Sequence, residues 1–279
     1  MLTDKVHPDT FKMNETTMIN DAVIHEQDAR GVVRLTMNRP GNFNALSEEM
    51  LCALQAALDA VAKDETARVV VLGAAGKAFC PGHNLKEMIA QPELAYYQKL
   101  FAQCSRVMLA IQKLPAPVIA RVQGIATAAG CQLVAQCDLA VASTQASFAV
   151  SGVNFGLFCS TPSVPLLRNV AAKPAMEMLL TGDFISAQQA LERNLVNRVA
   201  EPDQLDAEID KLVASILAKP RVAIAMGKEL FYRQREMGLE AAYQLAGQTM
   251  AVNMMDDSAQ EGVKAFTEKR TPNWKQGQA

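Results

Sequence analysis

The chain has 279 residues, half of them hydrophobic and a fifth charged, a length and balance that allow a large buried core in a globular protein. Its formal charge of −2 supplies no overall field to draw in nucleic acid or an anionic membrane, so both partners are excluded at this level. No apolar run approaches the roughly 20 residues of a membrane span, and six cysteines without a CxxC pair, beside three histidines, argue against a metal site.

The first twenty residues, MLTDKVHPDTFKMNETTMIN, are polar and mixed in charge. They carry neither the apolar centre of a signal peptide nor the Arg-rich, acid-poor make-up of a transit peptide. Residues 1–20 are therefore expected to form a disordered extension, and the protein is expected to be cytoplasmic with reduced thiols. VVRLTM (residues 32–37) is β-branched and apolar, a strand pattern. The turn-rich NRPGNFNALS follows, and Ser47 with Glu48 and Glu49 begins a helical pattern through Val61, with the serine as N-cap and the acids at the positive end of the dipole. RVVVL (residues 68–72) predicts a strand buried on both sides, hence a sheet covered on both faces. GAAGKAFCPGHN reads as a loop, Tyr96 to Leu114 as a helix, and PVIARV (residues 117–122) as a strand. Leu133 to Gln136 lies in a helix and Leu139 to Ala142 is a strand.

Strand-then-helix alternation predicts an α/β core around a mostly parallel sheet with right-handed crossovers. Beyond Pro162 the pattern turns helical, over 164–170, 175–180, 187–193, 205–217, 222–254 and 259–268. Two units result: a core over 21–200 and a helical C-terminal region over 201–279 that is suited to packing on a partner subunit.

Two loops follow strands of the core, where open α/β sheets gather ligands. In FCPGHN, Gly82 permits unusual backbone angles and His83 has a main-chain N–H where Pro81 has none. In VQGIATAAGCQ, a run of small residues opens a helix whose first N–H groups lack internal acceptors. Small residues there either let the helix pack tightly on the sheet or let a ligand oxygen reach those N–H groups. Two such donors aimed at one oxygen form an oxyanion hole, each worth about 2.7–4 kcal/mol in a transition state. A thioester fits that chemistry, because its enolate or tetrahedral adduct concentrates charge on oxygen.

The segments LTMNRPGNFNALS, VVVLGAAGKAFCPGHNLKEM, LPAPVIARVQGIATAAGCQLVAQCDLAVAS, FAVSGVNFGLF, LLTGDFISAQQALERNLVNRV and EGVKAFTEKRTPNW together resemble the enoyl-CoA hydratase/isomerase (crotonase) superfamily, and the GHNLKEM and GLFCSTPSV variants resemble its enoyl-CoA hydratase domain-containing branch. The resemblance implies a crotonase-like β-β-α spiral core with a C-terminal helical oligomerisation region, a homotrimer or dimer of trimers, and an acyl-CoA thioester ligand. Coenzyme A then enters as part of the substrate, with no other cofactor. It implies that the main-chain N–H groups of His83 and Ala129 form the oxyanion hole. His83, Asn84, Leu85 and Lys86 line the acyl-CoA path, Arg39 with Ala45 and Leu46 lies near the nucleotide, and Phe266 and Lys269 close the pocket, on this or a neighbouring subunit.

The same resemblance places Gln132 and Gly152 where the family's hydratases carry two glutamates. An amide exchanges no proton near neutral pH, and glycine offers no side chain. Acid–base catalysis by a positioned group is worth about 10²–10⁴-fold, so efficient hydration is not expected. Chemistry through an enolate without an added base remains open, such as decarboxylation of a β-carboxyacyl thioester. So do hydrolysis, a base drawn from the His83 imidazole or the Cys159 thiol, a bulkier acyl group filling the space at Gly152, and a pseudoenzyme that binds acyl-CoA without turnover.

Overall fold

Ten strands and eleven α-helices are defined among the described residues of the computed structural model, which are 13–274, with side chains described from residue 21 onward. The first twelve residues of the expected disordered extension lie outside that range. Its remainder forms a strand instead: β1 (Met13–Asn20) pairs antiparallel with β2 (Val23–Asp28). Main-chain pairing can order a polar segment whose side chains give no apolar signal.

β2 pairs antiparallel with β3 (Val32–Met37). Helix α1 (Glu48–Lys63) follows, its Ser47 N-cap accepting from the Met50 N–H at 3.1 Å. Met50, Leu54, Leu58 and Val61 recur at helical spacing and face the core. Every residue of β4 (Val69–Ala74) is buried. Val70 and Leu72 enter the main core with α1 and α3 (Leu94–Lys113), whereas Val69 and Val71 enter a second cluster with Ile119 and Val141. The sheet is thus covered on both faces, as RVVVL predicts. A short helix, α2 (Leu85–Ala90), precedes α3.

β5 (Val118–Val122), the two-residue β6 (Ala126–Thr127), α4 (Ala129–Gln136) and β7 (Leu139–Ser143) complete the first half. The seven-stranded sheet runs β1-β2-β3-β4-β5-β7-β10, parallel from β3 onward, with β10 at Arg198–Ala200. A smaller sheet joins β6, β8 (Ser147–Ala149) and β9 (Ile185–Ser186). Helices α5 (Ser160–Asn169), α6 (Ala172–Thr181) and α7 (Ala187–Glu192) lie between β8 and β10 in the chain.

Beyond residue 201 the chain is helical, yet its first helix belongs physically to the sheet. Leu205, Ile209 and Val213 of α8 (Leu205–Leu217) complete the second cluster. The expected run over 222–254 is two helices, α9 (Arg221–Gln234) and α10 (Leu239–Met254). Gly238 sits at the N-cap of α10 with extended angles and interrupts the run. Neither these helices nor α11 (Asp257–Thr267) contributes a side chain to either core cluster.

One buried polar contact ties α9 to the core. Lys228 Nζ donates to the carbonyls of Ile111 (3.0 Å) and Ala116 (3.1 Å) and pairs with Asp138 Oδ2 at 2.6 Å. Tyr232 donates to Asp138 Oδ1 at 2.8 Å. No helix among the described residues is long and apolar enough to cross a membrane.

Candidate active site

The two loops meet. Cys80 and Ala126 form a parallel bridge, with the Thr127 N–H donating to the Cys80 carbonyl at 3.0 Å. Gly82 has φ +101°, and a Cβ on it would lie 2.9 Å from the Ala128 Cβ and 3.2 Å from the Ala129 nitrogen. Only glycine combines that backbone conformation with so close an approach. Gly130 plays the matching part from α4, since a Cβ there would fall 2.0 Å from the Cys80 carbonyl oxygen.

Ala128 holds φ 49° and ψ −120°, a conformation costly for any residue with a side chain. It is pinned on both sides: its N–H donates to the Ala149 carbonyl and its carbonyl accepts from the Gln132 N–H, each at 3.0 Å. The turn launches α4 at Ala129. Among the described residues neither the Ala129 nor the His83 N–H donates to another main-chain group, as expected for Ala129 in the first turn of a helix.

Both residues line a cavity of about 770 Å³. Of the other residues named from the sequence, Ala45, Asn84, Leu85, Lys86, Gly152 and Cys159 also line it. Leu46 does not; it is buried, and it holds the loop by donating to the Gly82 carbonyl (2.8 Å) and accepting from the Asn84 N–H (3.3 Å). Arg39 lies off the cavity, its guanidinium paired with Glu49 at 2.6 Å. Phe266 and Lys269 are at the end of α11, away from this chain's cavity, with Phe266 84% exposed.

Gln132 is only 4% exposed, its Oε1 has no hydrogen-bond partner, and it stands behind the cavity wall rather than in it. The side-chain direction of Gly152 is closed, not open. A Cβ there would fall 2.4 Å from the Leu157 carbonyl oxygen and 2.9 Å from the Cys159 sulfur. The expectation of free space beside Gly152 is therefore corrected: the following turn folds back onto the glycine.

The two candidate side-chain bases are poorly placed. Both ring nitrogens of His83 are buried without partners, and the ring meets Phe101 edge-on at 5.4 Å. Burial lowers its pKa, offset in part by the Leu46 main chain. Cys159 accepts from the Gly152 N–H at 3.3 Å, but burial dominates and pushes its thiol up, away from the thiolate that a base requires. Among the described residues no aspartate or glutamate lines the cavity. No cluster of three or more His, Cys, Asp or Glu among them is placed to hold a metal ion.

The sequence reading missed Phe43, Met88, Phe101, Phe155, Leu157 and Phe158, large apolar side chains that line the cavity. It also missed α2, although Asn84 and Glu87 carried the signal. Asn84 Oδ1 accepts from the Lys86 N–H at 3.1 Å, and its Nδ2 donates to Glu87 at 3.0 Å, an acid three residues after an N-cap.

The sequence profile of the enoyl-CoA hydratase/isomerase family matches residues 27–278. Enoyl-CoA hydratase domain-containing protein 3, mitochondrial, of Xenopus laevis is 45% identical over 248 residues, covering 89% of this chain and 84% of that protein. An enoyl-CoA hydratase of Mycobacterium smegmatis has a crystal structure with TM-score 0.90 and 64% identity, covering 91% of this chain and 99% of that one. The crystal structure of human enoyl-CoA hydratase domain-containing protein 3 gives TM-score 0.87 at 42% identity, covering 91% and 100%. The expected cytoplasmic location does not stand, because the Xenopus, rat and human relatives are all named mitochondrial. That expectation rested on the composition of residues 1–20, which carries no address by itself. Fold, profile and identity agree over most of the length, and the chain belongs to the enoyl-CoA hydratase/isomerase family.

Proposed function

We propose that this protein binds acyl-CoA thioesters in the cavity and holds the thioester oxygen between the N–H groups of His83 and Ala129, without the acid–base pair that rapid hydration needs. The observation that supports the reading is the lining itself: two residues with free main-chain donors at one cavity, and no carboxylate among the described residues of its wall. Lys86 at the cavity edge suits a coenzyme A phosphate. Coenzyme A is part of the ligand, and the reading calls for no separate cofactor.

A carboxylate-free wall also favours one reaction class. Loss of CO₂ from a β-carboxyacyl thioester leaves its electron pair on the enolate, which two donors stabilise with no base removing a proton. Binding without turnover is the rival reading.

Calorimetry with acyl-CoA and a turnover assay over enoyl, β-carboxyacyl and simple acyl thioesters separate these readings. Micromolar binding with crotonyl-CoA hydration far below an ordinary enzyme rate is the expected result. Ala129→Pro, which removes one donor, is expected to abolish any turnover. Hydration of crotonyl-CoA at tens per second, a typical kcat, would end the proposal.

Self-association as a homotrimer or dimer of trimers belongs to the same reading. Helices α9 to α11 leave Phe231, Leu239, Tyr243, Met250 and Val263 largely exposed, more apolar surface than a monomer ordinarily presents.

A further inference from the structure

Much of the cavity wall comes from one short stretch, the turn from Ser151 through Cys159 and the first residues of α5. The turn closes on Gly152. The Leu157 N–H donates to the Gly152 carbonyl at 3.0 Å, and the Gly152 N–H donates to Cys159 Sγ at 3.3 Å. With the Leu157 oxygen and the Cys159 sulfur standing where a Cβ would go, the position admits only glycine while the turn keeps this shape.

This closure holds Phe155, Leu157 and Phe158 at the cavity, yet they remain 75%, 50% and 43% exposed. Leu85, Met88 and Phe101 join them from α2 and α3. A two- to four-carbon acyl group would leave most of these side chains wet. An extended hydrocarbon chain, continuous with the thioester position beside Ala129 and Gly152, would cover them.

We infer that the site selects thioesters with extended apolar acyl groups, that the 152–159 turn is the selecting element, and that Cys159 is its positioning residue. This rests on the thioester reading above and narrows its ligand class. Cys159 lines the cavity and acts through the turn it clasps.

Calorimetry on the full chain with free CoA and butyryl-, octanoyl- and dodecanoyl-CoA, each below its micelle concentration, tests the inference. Each added methylene that is buried should lower Kd by up to roughly fourfold, so Kd should fall at least about tenfold from butyryl- to dodecanoyl-CoA. In Cys159→Ala and Phe158→Ala that ratio should shrink, while Cys159→Ser, which keeps an acceptor for the Gly152 N–H, should restore it. A general loss of stability would weaken all ligands alike and leave the ratio intact. Equal Kd across the series, or an unchanged ratio in both variants, overturns the inference and leaves the thioester reading standing. Failure of every thioester and of CoA itself to bind overturns both.

Discussion

Gly82 joins chemistry to packing at a single position. Its φ of +101° and its contact with the Ala128–Ala129 turn mean that Gly82→Ala meets both backbone strain and a clash. A loss of about 1–2 kcal/mol from the left-handed conformation alone is expected, read as a lower urea midpoint together with weaker acyl-CoA binding. An unchanged midpoint would show that the loops do not depend on this approach. Gly152 carries the second residue-scale prediction. Gln132→Glu with Gly152→Glu should hydrate crotonyl-CoA no faster than Gln132→Glu alone, because the 152 side chain meets the Leu157 carbonyl before it reaches the cavity. A gain near the 10²-fold of a working acid–base group, followed as loss of enoyl absorbance, would mean that the turn opens readily. The glycines themselves are visible in the sequence. What stands 2.4 Å from a missing Cβ is not, because Leu157 reaches that place only through the fold of the turn.

Among the elements, α9 depends on the buried Lys228–Asp138 contact more than on apolar packing. Asp138→Asn leaves an uncompensated buried ammonium, so destabilisation by about 3–5 kcal/mol is expected in chemical unfolding. The sign of its pH dependence follows from Lys228, whose pKa burial lowers while Asp138 raises it. With the folded value below the unfolded one, the unfolded state holds more protons between the two, and stability rises with pH. The deficit of the variant should therefore shrink from neutral pH toward the ordinary lysine value of about 10.4. Tyr232, whose pKa burial and Asp138 push up, opposes this only above about pH 10. A deficit that is flat with pH would count against a charged Lys228 in the fold.

A second element-scale prediction concerns the end of α11. Glu261 pairs through both oxygens with Arg270, at 2.6 and 2.9 Å, and accepts from the Asn273 N–H at 2.7 Å, which holds its pKa down to about 2. Trp274, the one tryptophan of the chain, packs over Gly262. A depressed carboxylate contributes stability above its unfolded pKa and loses it as pH falls toward the folded value. Tryptophan emission should hold steady down to about pH 4, near the unfolded glutamate value, and shift as the pH falls toward about 2. A shift complete above pH 5 would assign the tether to another group.

At the scale of the whole molecule, α9 to α11 present an apolar surface that the described chain does not cover. Leu239, Tyr243 and Met250 fall on one face of α10. Sedimentation equilibrium should give three or six times the protomer mass, and Leu239→Asp with Tyr243→Asp should lower it. A monomer at micromolar concentration would refute the assembly.

Strand and helix periodicity determined much by itself: the parallel core, the double-sided burial of RVVVL, the Ser47 cap and the helical second half. These are local patterns, and each side chain's role follows from its spacing along one element. The ordered family segments likewise sufficed to name the spiral. Tertiary structure alone decided the rest. β1 required a partner strand, and the small sheet of β6, β8 and β9 required three segments far apart in the chain. The cavity is made where the segments after β3, β4, β6 and β8 converge with α2 and α3, and its aromatic wall shows no period. Contacts between segments distant in sequence leave no mark in either one alone, so the two loops could be read from the chain while the cavity they help to form could not.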